Sequence, residues 1–291
     1  LVMKDKFISK YWGYLFLLVP IALQMIFFYL PTIRGVIFSF TNWTGLTDNY
    51  DFIGFKNYTA IFSDPKLIKT IKFTIIFTLG MILGQVSLGI LVARALNAKL
   101  KTSNFFRGIF FFPAVIATVT IGMIFKQIFA YGIPLIGETL HIEFLKENLL
   151  SNPKTVVYAI LFVALWQGVA TPTIIFLAGL QSIPEEILEA AAIDGASKSQ
   201  IFKRIEIPFL IPSISMVFIL ALKGGLTAFD NIFVLTGGGP NDMTATLGML
   251  VYNTAFKNNS FGYANALAIV LFIIIIVISL MQQAVSKKFE V

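Results

Sequence analysis

Separate apolar stretches, each close to the roughly 20 residues needed to cross a hydrocarbon core, constrain this chain more than any other feature. They fall at about 11–30, 73–96, 109–125, 156–180, 209–232 and 263–280. Charged residues make up 13% of the 291 and hydrophobic ones 57%, too little polar surface for a soluble domain of this length. The expectation is an all-α membrane protein with six transmembrane helices, organised as a single domain over residues 1–291. Lys4, Lys6 and Lys10 precede the first stretch as they would in a signal peptide. The apolar run is too long for one and no small-residue cleavage site follows, so it reads as an uncleaved first helix.

The net charge of +7 does not cluster as a nucleic-acid patch would, and no nucleic-acid partner is expected. Basic residues flank the spans instead, where they report orientation. With the N-terminus in the cytoplasm, the short loops on that side carry Arg94, Lys99, Lys101, Arg107, Lys198, Lys203, Arg204, Lys287 and Lys288. The longer loops opposite carry Arg34, Lys56, Lys66, Lys69, Lys72, Lys146, Lys154 and Lys257, with Lys126 at the border of that side. Both termini are therefore expected in the cytoplasm.

Several chemistries are excluded. The chain has no cysteine, which removes disulfides, thiol catalysis and thiolate metal sites. His141 is the single histidine, beside Glu138 and Glu143, a poor metal site. No G-x-x-x-x-G-K-[ST] loop occurs, and the Gly237–Gly239 run lacks the lysine such a loop requires. No catalytic residues and no metal are assigned.

The segment 181–208 between the fourth and fifth spans reads as two short helices. Ser182 with Glu185 has the spacing of a capping box, and Pro184 suits a first turn. Gly195 suits a left-handed stop, Ser197 with Gln200 offers a second capping box, and Pro208 marks entry to the fifth span. Helix physics alone leaves this segment equally able to be an amphipathic connector.

Here the sequence resembles a known family. Glu189-Ala190-Ala191, three residues, Gly195, nine residues, Ile205, one residue, then Ile207-Pro208 resembles the EAA signature of binding-protein-dependent ABC transporter permeases, with Ile207 where leucine is usual. Phe229-Asp230-Asn231, the run to Gly239-Pro240, Tyr252-Asn253-Thr254-Ala255-Phe256 and Gly262-Tyr263-Ala264 look like the first permease of carbohydrate-uptake systems of the maltose and glycerol-phosphate type. The chain does not show the extra N-terminal spans and large outer domain of the maltose system's larger subunit.

The resemblance implies that segment 181–208 is a cytoplasmic coupling helix-turn-helix docking on an ATPase. Glu186, Glu189, Ala190, Ala191, Asp194 and Gly195 are the coupling residues on that analogy. It also implies a prokaryotic plasma (inner) membrane location and four kinds of partner: a second, homologous permease forming a heterodimer, two ATP-binding subunits, an extracellular or periplasmic solute-binding protein, and a carbohydrate substrate. ATP and Mg would be bound by the partner ATPase, leaving this chain without a cofactor.

Two stretches are candidates for the solute pathway. In the fifth span Ala221, Gly224, Gly225 and Ala228 share one small-residue face, which serves either close helix packing or a bulky solute. In the fourth, Gln167, Gly168 and Thr171 lie within a turn, beside Trp166. Amide, hydroxyl and aromatic groups suit a sugar, and the resemblance places sugar contacts in these two spans. Lys223 and Asp230, seven apart, are read near one helix face, with Lys223 snorkelling, pairing with an acid from another helix, or lining the pathway. Gly80, Gly84 and Gly89 of the second span read as a packing face. Two other readings stand beside the sugar importer: a permease of the same family for a non-sugar solute, and an ion-coupled secondary carrier. The latter needs paired intramembrane carboxylates, and Asp230 is the one candidate.

Overall fold

The computed structural model describes residues 14, 16–47, 49–98 and 103–287. Almost every element among them is a helix; Thr41 and Phe52 form an isolated antiparallel bridge. The order is α1 (Phe16–Phe38), α2 (Lys56–Ile61), α3 (Pro65–Asn97), α4 (Ser103–Val115), α5 (Thr118–Thr139), α6 (Val156–Gly168), α7 (Ala170–Gln181), α8 (Glu185–Ile193), α9 (Lys198–Leu226), α10 (Asp230–Leu235), α11 (Leu247–Tyr252) and α12 (Phe261–Ser286). Among the described residues five helices are long and apolar enough to cross a membrane: α1, α3, α5, α9 and α12. The α6–α7 pair, bent by 49°, makes a sixth if it is one span.

Residues 11–13 and 15 of the expected first span lie outside the described residues. Helix α1 runs on to Phe38, past the expected 30, and α3 starts at Pro65, ahead of the expected 73. Three further spans depart from the sequence reading, and prolines account for much of this. The expected third span, 109–125, is divided: α4 carries Pro113 and ends at Val115, and α5 starts at Thr118 and runs on to Thr139. The expected fourth span is bent where Pro172 cannot donate to the Gly168 carbonyl four residues back. The fifth begins earlier and ends sooner than 209–232. Pro208 does not open it, because α9 is one helix from Lys198 to Leu226.

A wide turn absorbs that proline. Residues Phe202–Glu206 are closed by Ile207 N–H donating five residues back to the Phe202 carbonyl, just before Pro208. The same device recurs at Met25–Tyr29 before Pro31 and at Ile128–Gly132 before Pro134, with Leu30 and Ile133 donating. A proline ring clashes with the carbonyl four residues earlier, and widening the preceding turn relieves it without ending the helix.

The described residues divide into two compact units, one within Leu1–Ser63 and Val251–Val270, the other within Asp64–Leu250 and Leu271–Val291. In the first, the segment after α1 is tied locally: Asn57 Nδ2 donates to the carbonyls of Ser39 and Thr41 at 2.8 Å each, and Asn42 pairs with Asp51. Trp43 stacks on Phe38, and its carbonyl accepts from Gly262 N–H at 2.8 Å.

The second unit contains the packed core. Phe73, Phe77 and Met81 of α3 bury against Ile160 and Val163 of α6, Ile121 of α5, and Ile232 and Leu235 of α10. A second cluster joins Ile90 and Ala93 of α3 to Phe176 and Leu177 of α7 and Leu210 and Val217 of α9. The glycines of α3 are a packing face, as expected: a Cβ at Gly80 would lie 2.8 Å from Leu161, and one at Gly84 2.5 Å from Leu165.

Candidate functional site

Segment 181–208 is a helix, a tight turn and the root of a second helix. Helix α8 ends in a Schellman arrangement: Gly195 N–H donates to Ala192 O at 3.1 Å and Ala196 N–H to Ala191 O at 2.9 Å. Gly195 itself sits at φ +78, the left-handed region where a side chain is strained. Helix α9 then starts with the expected capping box, Gln200 N–H on Ser197 Oγ at 3.3 Å and Ser197 N–H on Gln200 Oε1 at 2.7 Å. The Ser182–Glu185 box is absent. Pro184 occupies the N-cap with no side-chain cap, and the Ser182 hydroxyl turns back to Gly179 O at 2.8 Å, closing α7 instead.

Helix α8 buries no residue within the chain, and Glu186, Glu189, Ala190, Asp194 and Gly195 are all exposed, with Ala191 half-buried. Ile193 is 86% exposed beside them. Helix α8 thus presents Ile193 and its acidic residues outward, while Leu188 packs against the cluster of α3, α7 and α9.

The second site is a recess of about 290 Å³ in the larger unit, where α3, α5, α6, α9 and α10 converge. Among its walls are Gln167, Gly168, Gly224 and Ala228, four of the residues singled out in the sequence. The other four lie elsewhere. Ala221 is 1% exposed, in the apolar cluster of Ile82, Leu222 and Leu226. Gly225 packs against α3, where a Cβ would lie 2.7 Å from Thr78 Cα; at Gly224 a Cβ meets nothing within 4 Å. Trp166 sets its ring edge-on to Phe125 at 5.3 Å, and Thr171 is exposed outside the recess walls. The shared small-residue face therefore divides, with one half packing and the other open.

Gln167 has a double role. Its Nε2 donates to Ile116 O and meets Thr118 Oγ1, both at 3.1 Å. Ile116 lies at the break between α4 and α5, so the side-chain amide satisfies a carbonyl freed where the helix is interrupted, as a buried backbone in an apolar medium requires. Asn231 Nδ2 approaches Gln167 Oε1 at 3.5 Å, while Asn231 Oδ1 is buried without a partner. Thr118, Phe229 and Asn231 also line the recess, unforeseen in the sequence because they are brought there by breaks in helices. Helix α9 stops at Leu226, so Lys223 and Asp230 are not related by helical periodicity. Lys223 is exposed in the last turn of α9, where a cation suits the helix end. Asp230 opens α10 and lines the recess. Among the described residues no group of three or more His, Cys, Asp or Glu is placed to hold a metal ion.

Helices sufficient for five or six crossings, with a recess among them whose mostly apolar walls carry a few amide, hydroxyl and carboxylate groups, define a multi-pass integral membrane protein. Residues 85–291 match the family described as binding-protein-dependent transport system inner membrane component. The chain is 58% identical over 286 residues, 98% of its length and 99% of the other's, to the multiple sugar-binding transport system permease protein MsmF of Streptococcus mutans. It is 32% identical over 292 residues, 99% of its length and 92% of the other's, to the arabinooligosaccharides transport system permease protein AraP of Bacillus subtilis. Its fold superposes with a TM-score of 0.82, at 20% identity and covering 97% and 96% of the two chains, on a chain of the bacterial alginate ABC transporter in complex with its alginate pentasaccharide-bound periplasmic protein. The chain belongs to the binding-protein-dependent transport family of inner membrane permeases.

Proposed function

We propose that this chain, acting as one permease domain over residues 1–291, forms half of the translocation pathway of an ATP-driven sugar importer. The observation that carries the reading is one helix: α9 runs without interruption from the capping box after Gly195 to Gly224 in the recess wall. A push on segment 181–208 thus arrives at the recess through a helix about 40 Å long. In this reading Glu186, Glu189, Ala190, Ala191, Asp194 and Gly195 dock on the ATPase from the cytoplasm, where both termini also lie. Glu189 offers charge-assisted hydrogen bonds. ATP and Mg belong to two partner ATPase subunits, and a second, homologous permease closes the other half of the pathway. A solute-binding protein delivers sugar from outside.

Sugar is favoured by the names of the relatives and by the recess walls, which set the Gln167 and Asn231 amides and the Asp230 carboxylate beside the half-buried Phe229. These offer hydrogen bonds to hydroxyls and flat apolar surface for a ring. The test is ATPase activity of the purified assembly, this chain with its co-expressed neighbours, against a panel of capture proteins loaded with sugars or with non-sugar solutes. Stimulation by one loaded protein supports the reading and identifies the sugar. Stimulation only by a non-sugar solute would move the chain to another substrate class. Uptake driven by an ion gradient and indifferent to ATP would overturn it.

A further inference from the structure

Two long helices supply opposite kinds of wall to the recess. Helix α9 contributes Gly224 and grows directly out of segment 181–208, whereas α3 contributes Phe77 and Met81 and has no nearby chain link to that segment. Most of what holds α3 to α9 is apolar: Ile82 with Ala221 and Leu222, and Ile90 and Ala93 with Leu210 and Val217. Apolar helix faces can slide past one another by small shear steps, so packing alone does not guarantee that α3 follows α9.

One directional contact stands out at the end of α3. Arg94 Nε lies 2.7 Å from the buried Glu206 Oε2 as an ion pair without hydrogen-bond alignment, and Arg94 Nη2 donates to Glu206 Oε1 at 3.5 Å, across 112 residues of sequence. The same guanidinium sits over the Phe202 ring, its Cζ 4.2 Å from the centroid. Phe202 and Glu206 are the first and last residues of the wide turn at the root of α9. A single planar cation therefore grips both ends of the turn that joins segment 181–208 to the rest of α9, with carboxylate and ring face the two partners a guanidinium suits best.

We infer that Arg94 is a positioning residue of the transport cycle, clamping α3 to the wide turn so that movement of segment 181–208 carries both walls of the recess together. The inference rests on the ATPase-coupling reading above. Arg94 is about one-third exposed and Glu206 mostly buried, with side chains 36% and 16% exposed, and screening on the Arg94 side limits what the pair adds to stability. Its consequence is therefore expected in how the two helices move.

The chain has no cysteine, so nitroxide labels can be placed at two exposed positions, Leu91→Cys on α3 and Lys203→Cys on the turn. The full assembly in nanodiscs is measured by pulsed electron resonance, resting and trapped with Mg, ADP and vanadate. With Arg94 intact the label distance is narrow and unchanged by trapping. In Arg94→Ala the trapped state acquires a second distance, its population raised roughly five- to tenfold, while basal ATPase stays within about twofold. Arg94→Lys keeps the charge but not the fork or the planar stacking and gives an intermediate result. The swap Arg94→Glu with Glu206→Arg restores much of the narrow distribution. A narrow, trapping-invariant distance in Arg94→Ala would overturn the inference while leaving the importer reading intact. In the unaltered assembly, a distance from the Lys203→Cys label to a third label on the ATPase that does not change on trapping would overturn both.

Discussion

Gly224 and Gly225 are adjacent in sequence and opposite in environment, so the same substitution at each tests the recess geometry. At Gly225 an added Cβ would lie 2.7 Å from Thr78 Cα and 2.7 Å from Thr78 Oγ1. Carbon pairs are comfortable at about 3.5–4.0 Å, so α3 and α9 must part by about 1 Å at a point where backbone cannot yield. Overpacking of this kind costs about 1–3 kcal/mol, against a gain of about 1 kcal/mol from replacing glycine inside a helix. Gly225→Ala is expected to lose about 1 kcal/mol net. At Gly224 nothing lies within 4 Å of the added carbon, so Gly224→Ala keeps the propensity gain. The two variants should differ by about 2 kcal/mol, roughly thirtyfold in the folded-to-unfolded ratio. Reversible unfolding by dodecyl sulfate titration in mixed micelles measures this. Equal stabilities, or a Gly225→Ala variant as stable as Gly224→Ala, would refute the division of the small-residue face. The functional counterpart is reversed: Gly224→Leu is expected to block transport with the fold retained, because its side chain fills the recess.

Gly195→Ala should cost about 1–2 kcal/mol through the left-handed backbone alone, since no neighbour is within reach, and Gly195→Asn should recover part of it; hydrogen exchange across 185–201 reads both. Ser197→Ala removes one arm of the capping box and should lose about 1 kcal/mol, seen as faster exchange at 198–201 with α7 unaffected. Gln167→Leu strips the donor from Ile116 O and should destabilise by about 1–3 kcal/mol in thermal unfolding, whereas Thr118→Val, which leaves that carbonyl bonded, should cost less.

The membrane class was legible because it depends on run length and composition, which a bilayer reads segment by segment. The turn at Gly195 and the Ser197–Gln200 box were legible because their partners lie within five residues, so local geometry is their whole specification. Ser182 shows the limit of that logic. Its hydroxyl had two local acceptors or donors within reach, one on each side, and closed α7. Proline placement was misread at Pro208 because a wide turn can absorb the ring, a choice set by what else holds the helix together. Roles across elements were not legible. Spacing put Ala221, Gly224, Gly225 and Ala228 on one face, yet only the position of α3 decides that Gly225 meets Thr78 while Gly224 meets open space. Likewise the Gln167 amide answers a carbonyl 51 residues away, and Arg94 finds Glu206 across 112. The sequence alone determined that the chain is built of helices suited to lipid, and placed the Gly195 stop and the Ser197–Gln200 cap. The tertiary structure decided which faces pack and which stay open, because those depend on the approach of a second helix whose position no local spacing encodes.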